Sequence, residues 1–197
     1  IVNNCDFIKN NKSIGLTIGN NHIGEYKKLQ KSNYCVEYIT SYEEDTLGSI
    51  IDTLSIKQIY SLILQISYGI MILQRKKYTH DDLNLNNITF TKTTKKHITI
   101  NINNIKYKIP IFSYIYTIID YGNVNHPSFI NNMKDKKLYL KNYKNIDICN
   151  LLDNIKNYWD LSNNKLSNKL KNDIEYIEKN SDNIKKIITY FENKLCK

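Results

Sequence analysis

Apolar residues along this chain change their period several times, and each change marks an element. From Ile56 to Leu73 the period is helical: Ile56, Ile59, Ile63, Ile66, Ile70 and Leu73 recur at spacings of three and four. The flanks of that stripe are apolar as well, so the spacing predicts a central helix covered on most sides. Ser55 precedes it as an N-cap, and Gln58 sits three residues on, as a capping box requires. Beyond residue 87 the pattern shortens to β-rich runs: Ile88 to Thr91, His97 to Ile102, Ile105 to Ile111 and Ile115 to Ile119. Asn103-Asn104 predicts a hairpin turn between the second and third runs. From about Leu138 helical spacing returns. Ile148, Leu151, Leu152 and Ile155 predict a helix over residues 146–158. Ile184, Ile187, Ile188, Phe191 and Leu195 predict another over residues 182–195.

The first third is less patterned. Residues 1–33 are polar and Asn-rich, with a short helix expected over 23–31 that Gly24 weakens. Tyr34 to Thr40 reads as a strand, and Ser41 to Asp45 as a polar connector.

Composition adds bounds. With 41% hydrophobic residues, 197 residues can bury a real core in one domain. The chain has no Ala and a single Arg, Arg75, while Asn, Ile, Lys and Tyr dominate, which is the residue choice of an A+T-rich genome. The formal charge of +9 therefore reads first as Lys-rich surface, and no nucleic-acid partner is expected, since no dense basic run with interleaved aromatics stands out. Cys5, Cys35, Cys149 and Cys196 form no C-x-x-C and have no His at metal-ligand spacing, so a reducing, intracellular and cytoplasmic setting is expected. Lys57, Gln58, Gln65 and Ser67 interrupt the longest apolar run, and no transmembrane segment is expected from it. No signal peptide opens the chain, and it starts at Ile1 rather than Met, so a longer parent protein is expected.

Candidate chemistry sits between the central helix and the predicted β-hairpins. His80-Asp81-Asp82-Leu83-Asn84-Leu85-Asn86-Asn87 fits H-x-D-L-x-x-x-N, and Ile118-Ile119-Asp120-Tyr121-Gly122 fits D-F-G with Tyr for Phe. An Asn-rich loop with two Asp residues is also what a plain solvated loop contains. The order of the parts argues for more: amphipathic helix, His-x-Asp loop, β-hairpins, Asp-x-Gly, helices.

That order resembles the C-terminal lobe of the protein kinase superfamily over about residues 34–160, with the last helices completing the lobe. The extended hairpin and the aromatic K-Y-K-I-P-I-F-S-Y-I-Y stretch before Asp120 are similar to the divergent serine/threonine kinases of poxviruses and giant DNA viruses. The resemblance implies an α+β fold, a mainly helical lobe with β-hairpins around the catalytic loop. It also implies an N-terminal lobe largely absent: residues 1–40 as its remnant with the hinge strand, and 41–197 as the C-terminal lobe. It implies ATP and Mg²⁺ as cofactors and Ser or Thr of a protein as acceptor. Asp82 then orients the substrate hydroxyl, and His80 orders the catalytic loop against the D-x-G segment. Asn87 and Asp120 hold the metal, and Gly122 lets the backbone turn after it. Ser41 and Tyr42 belong to the hinge, and Thr89 and Ile119 line the nucleotide. Asp147 is either an ordinary acid near a helix N-terminus or the aspartate that hydrogen-bonds the catalytic-loop backbone.

The chain also departs from the family. Asn84 stands where serine/threonine kinases have Lys, and Asp81 where most have Arg, so activation by a phosphorylated loop is not expected. No A-P-E follows Asp120. No G-x-G-x-x-G or V-A-I-K is found: Gly15, Gly19 and Gly24 are wrongly spaced, Lys27 and Lys28 lie too close to the hinge strand, and Glu25 is only a weak match to the acid that pairs such a Lys. Two other readings stay open. One is a small-molecule phosphotransferase of the aminoglycoside or choline kinase type, and the other a non-catalytic scaffold.

Overall fold

The computed structural model describes residues 45–161 and 168–195, all within one of two units of the chain, Glu43–Lys197. The expected strand at 34–40, the hinge residues Ser41 and Tyr42, and everything before them lie outside the described residues.

The fold is α+β. Strand β1 (Asp45–Thr46) leads through two short 3₁₀ turns to helix α1 (Ile56–Arg75). A 3₁₀ turn at Leu85–Asn87 then opens into β2 (Ile88–Lys92), β3 (His97–Ile102), β4 (Ile105–Pro110) and β5 (Tyr114–Ile118). Three helices follow: α2 (Met133–Leu161), α3 (Asn168–Lys179) and α4 (Ile184–Leu195). Strands β1, β2 and β5 form one antiparallel sheet in that order, with Ile88 opposite Ile118 and Lys92 opposite Tyr114. β3 and β4 form a separate hairpin. Its turn residues Asn103 and Asn104 have φ of 52° and 62°. Two successive left-handed residues match the twist of a tight hairpin, and Asn tolerates that region.

Helix α1 is the centre of the core. Ser55 accepts from the Gln58 amide while Gln58 accepts from the Ser55 amide, so the capping box forms as expected. The helix stops at a left-handed Lys77 (φ 62°). The Tyr78 and Lys77 amides donate back to the carbonyls of Leu73 and Gln74, closing the last turn as a Schellman motif does. Leu62, Ile63, Leu64, Ile66 and Ile70 are buried all round the helix, and each such burial contributes roughly 1.5–3 kcal/mol over an exposed position. By length and hydropathy alone this helix is apolar enough to cross a membrane despite its polar interruptions, but 67% of its apolar window is buried by the chain itself, which is consistent with the expectation of no transmembrane segment. Gln65 joins it to β5, donating to the Tyr114 carbonyl and accepting from the Tyr116 amide at 3.1 Å each. α4 covers another side, where Tyr60 meets Phe191 with ring centroids 5.4 Å apart.

Strands β2 to β5 lie within a residue or two of their predicted bounds, whereas β1 includes Asp45, which was expected in a polar connector. α2 departs further: it begins at Met133, well before the apolar stripe at Ile148. Its first turns are largely exposed, so no buried face was there to be read.

Candidate active site

The site is built on the loop that leaves α1 and enters β2. Asp147 in α2 is fully buried, and its carboxylate accepts the His80 amide at 2.9 Å on both oxygens and the Asp81 amide at 3.0 Å. Asp147 sits mid-helix, which rules out the helix-terminus alternative. Burial pushes its carboxyl above the ordinary value, and the two amides only partly pull it back. Holding two consecutive amides forces the chain to bend at once: Asp81 has φ 60°, a left-handed conformation that costs a non-glycine residue about 1–2 kcal/mol. Asp81 Oδ1 is buried with no hydrogen-bond partner among the described residues.

His80 points the other way. It is fully buried, and Nε2 lies 2.8 Å from the Ile119 carbonyl. A carbonyl only accepts, so Nε2 carries the hydrogen. The ring also packs 5.2 Å from Tyr121. This imidazole has no open face for a substrate; it positions the chain just before Asp120. Ile119 itself is half-buried, and its amide donates to the Asn87 carbonyl at 2.9 Å. A bridge between Thr79 and Asn125 then ties the far side of the Asp120-Tyr121-Gly122 run to the start of the loop. Tyr139 of α2 places its hydroxyl 2.8 Å from the Lys77 carbonyl and 3.1 Å from the Asn125 carbonyl, anchoring both.

Asp82 occupies the middle of this frame and is held by three asparagine amides. Asn84 Nδ2 donates to Oδ1 at 2.9 Å, and Asn87 and Asn123 donate to Oδ2 at 3.1 and 3.3 Å. Asn87 also donates to the Asp82 carbonyl at 2.8 Å. Its amide nitrogen is thus committed to Asp82, so any ligand role falls to its side-chain oxygen. Asn84 also acts on the backbone, since its Oδ1 accepts the Asn86 and Asn87 amides and caps the 3₁₀ turn that carries Asn87.

Asp120 is exposed, with φ 58° and ψ 69°, and its Oδ1 accepts the Gly122 amide at 3.3 Å. The sharp turn expected at Gly122 is made by a left-handed Asp120; no described glycine has positive φ. What Gly122 supplies is space, since a Cβ there would lie 3.2 Å from Asp120 Oδ1. Thr89 is buried in β2, paired with Thr117 and Thr46, its hydroxyl 3.4 Å from the Thr117 carbonyl.

The frame thus brings together His80, Asp82, Asn87, Ile119 and the Asp120–Gly122 run, with Asp147 beneath and Thr89 on the adjoining sheet. Sequence reasoning missed Asn123, one asparagine among many, and the capping role of Asn84, which its place before a short turn signals. Among the described residues no group of three or more His, Cys, Asp or Glu is placed to hold a metal. Asn87 and Asp120 carry a neutral oxygen and a carboxylate, the hard donor types that Mg²⁺ takes. No protein-family model and no curated protein matches the chain.

Proposed function

We propose that this chain carries the catalytic half of a divergent protein kinase, transferring the γ-phosphate of ATP to Ser or Thr of a protein. One observation carries the reading: the two motifs meet. Asn123, just past Asp120-Tyr121-Gly122, donates to Asp82, while His80 holds the carbonyl of Ile119, just before it. A phosphoryl transfer needs a base at the attacking hydroxyl and a metal ligand at the phosphates, both fixed before reaction. Asp82 takes the proton of the acceptor hydroxyl, whose oxygen bonds to the γ-phosphorus as the bond to ADP breaks. Asn87 and Asp120 would hold Mg²⁺, which would supply neutralisation of charge on the phosphates. No glycine-rich phosphate cover or its Lys is recognisable by motif in the sequence. The A+T-rich residue choice fits a viral source.

A small-molecule phosphotransferase is the second reading, and residue 84 favours it. Where a Lys would steady the transferring phosphate, the neutral Asn84 bonds Asp82 instead.

The test uses the longest natural chain that contains these residues, with a generic protein acceptor beside a panel of aminoglycosides and choline. Asp120→Asn and Asp82→Asn should each cut transfer by roughly 10²-fold or more while circular dichroism stays unchanged. Asp82→Asn should keep its nucleotide affinity. Transfer only to the small molecules installs the second reading. Wild-type transfer equal to that of both variants leaves a scaffold.

A further inference from the structure

The segment that runs from Asp120 away from the site is the most exposed apolar stretch of the described residues. Tyr121 is 52% exposed, Phe129 61%, Met133 69%, Leu138 58% and Leu140 40%, whereas only Ile56, Ile72 and Ile105 match them elsewhere. Clustered exposure of large apolar side chains marks an interaction surface. Phe129 is presented as an anchor, its ring centroid 6.4 Å from that of Tyr78 and 5.7 Å from that of His126, whose own centroids lie 4.5 Å apart.

The same segment is strongly basic. Lys134, Lys136, Lys137, Lys141 and Lys144 lie in the first turns of α2, against one acid, Asp135. Tyr139 within this run is buried, and the scatter of Lys along the whole chain masks the run in the sequence.

Helical geometry decides the kind of partner. Residues four apart share a face. Lys136, Leu140 and Lys144 form one such row, Lys134 and Leu138 a second, and Met133 and Lys137 a third. Lys and apolar residues are therefore mixed on each face. A helix lying in a membrane surface separates them onto opposite faces. Nucleic acid offers phosphates but no aliphatic partner for Met133, Leu138 and Leu140. A polypeptide that interleaves acids with apolar residues satisfies both.

We propose that the surface formed by residues 121–144 docks the protein substrate, and that this substrate carries interleaved acidic and apolar residues beside its acceptor hydroxyl. The inference rests on the phosphoryl-transfer reading. Continuity supports it: the strip that presents Phe129 and the lysines starts at Asp120 and is tied to Asp82 through Asn123.

The test takes two fluorescein-labelled serine peptides of equal length, one built of Glu and Leu around the serine and one of Lys and Leu. Anisotropy titration of the full chain, without nucleotide, should show the acidic peptide binding at least roughly tenfold tighter, with added salt weakening it. Lys137→Glu with Lys141→Glu should remove that preference. Lys185→Glu with Lys186→Glu, on exposed positions of α4, should not, and circular dichroism should show both variants folded. Equal binding of the two peptides, an unaffected Lys137/Lys141 variant, or displacement of the acidic peptide by phosphatidylserine vesicles or an RNA oligomer overturns the docking surface. Failure of the two proposals is separable. Phosphate transferred equally to both peptides removes the docking surface and keeps the kinase reading. Selective binding of the acidic peptide with no transfer to it keeps the surface and removes the kinase reading.

Discussion

Two aspartates of this protein are buried to almost the same degree and are treated in opposite ways. Asp147 is met by backbone: the amides of His80 and Asp81 fill its oxygens. Asp173 in α3 is only 1% exposed and is met by side chains: the hydroxyls of Tyr60 and Tyr190 and the ammonium of Lys194 at 2.7 Å. Burial pushes both carboxyls up. For Asp147 it prevails. For Asp173 the bonds from Lys194, Tyr190 and Tyr60 outweigh it and hold the carboxyl below its ordinary value. One buried charge shapes the backbone, and the other joins three helices. A carboxylate left short of compensation beside the candidate site, where it fixes a strained loop, is the arrangement expected of a site that stability alone did not select.

Breaking Asp147 should give the largest effect. Asp147→Ala strands two amides and frees the His80-Asp81 bend, so Asp82 and Asp120 lose their common frame. Phosphoryl transfer should fall by roughly 10²-fold or more, because displacements of about 1 Å suffice for that. Residual structure is checked by circular dichroism. Transfer within threefold or so of wild type would remove Asp147 from the site's support.

Asp173 should separate from it cleanly. Asp173→Ala leaves the half-buried Lys194 and two tyrosine hydroxyls without their shared acceptor, and a buried donor left unsatisfied costs about 1–3 kcal/mol. Urea unfolding should show this, while turnover per folded molecule stays near wild type. A selective loss of turnover at unchanged stability would break the contrast.

The smallest expected effect is the pH dependence of stability, and here the two residues should differ in sign. Asp147 titrates above its ordinary 3.8 in the folded state, so stability falls as pH rises from there through its folded value. Asp173 titrates below 3.8, so its contribution is present above that value and lost as pH falls through its folded value. Lys194 is raised above 10.5, chiefly by its bond to Asp173, so its contribution holds below 10.5 and is lost as pH climbs through the folded value. Thermal unfolding followed against pH should show Asp173→Asn flattening the limbs below 3.8 and above 10.5. Asp147→Asn should flatten a limb of opposite slope above 3.8.

Sequence carried much of this fold because its strongest signals are local. The Ser55–Gln58 capping box, the stripe of α1 and the Asn103-Asn104 turn each involve residues within a few positions of one another, and each formed where expected. The two motifs of the site were legible as patterns of residue type. Their meeting was not, since it depends on His80 reaching Ile119 and Asn123 reaching Asp82 through space. α3 was read only as part of a helical remainder: Leu170, Ile174 and Ile177 have helical spacing, but Asn and Lys surround them. The Asp173 cluster had no sequence signal, because Tyr60 lies 113 positions away. Gly122 misled for a different reason. Glycine invites a conformational explanation, but the left-handed φ belongs to Asp120.

The 67 positions between His80 and Asp147 also order events during biosynthesis. A ribosome adds about 5–20 residues per second, so for several seconds the loop that starts at His80 exists without the carboxylate that bends it. α1 waits longer still. Its Tyr60 and Tyr68 find Phe191 and Glu192 only when the last helix has emerged. Until then a 20-residue apolar helix has no cover on that side, and the nascent chain presents the very segment that chaperones bind.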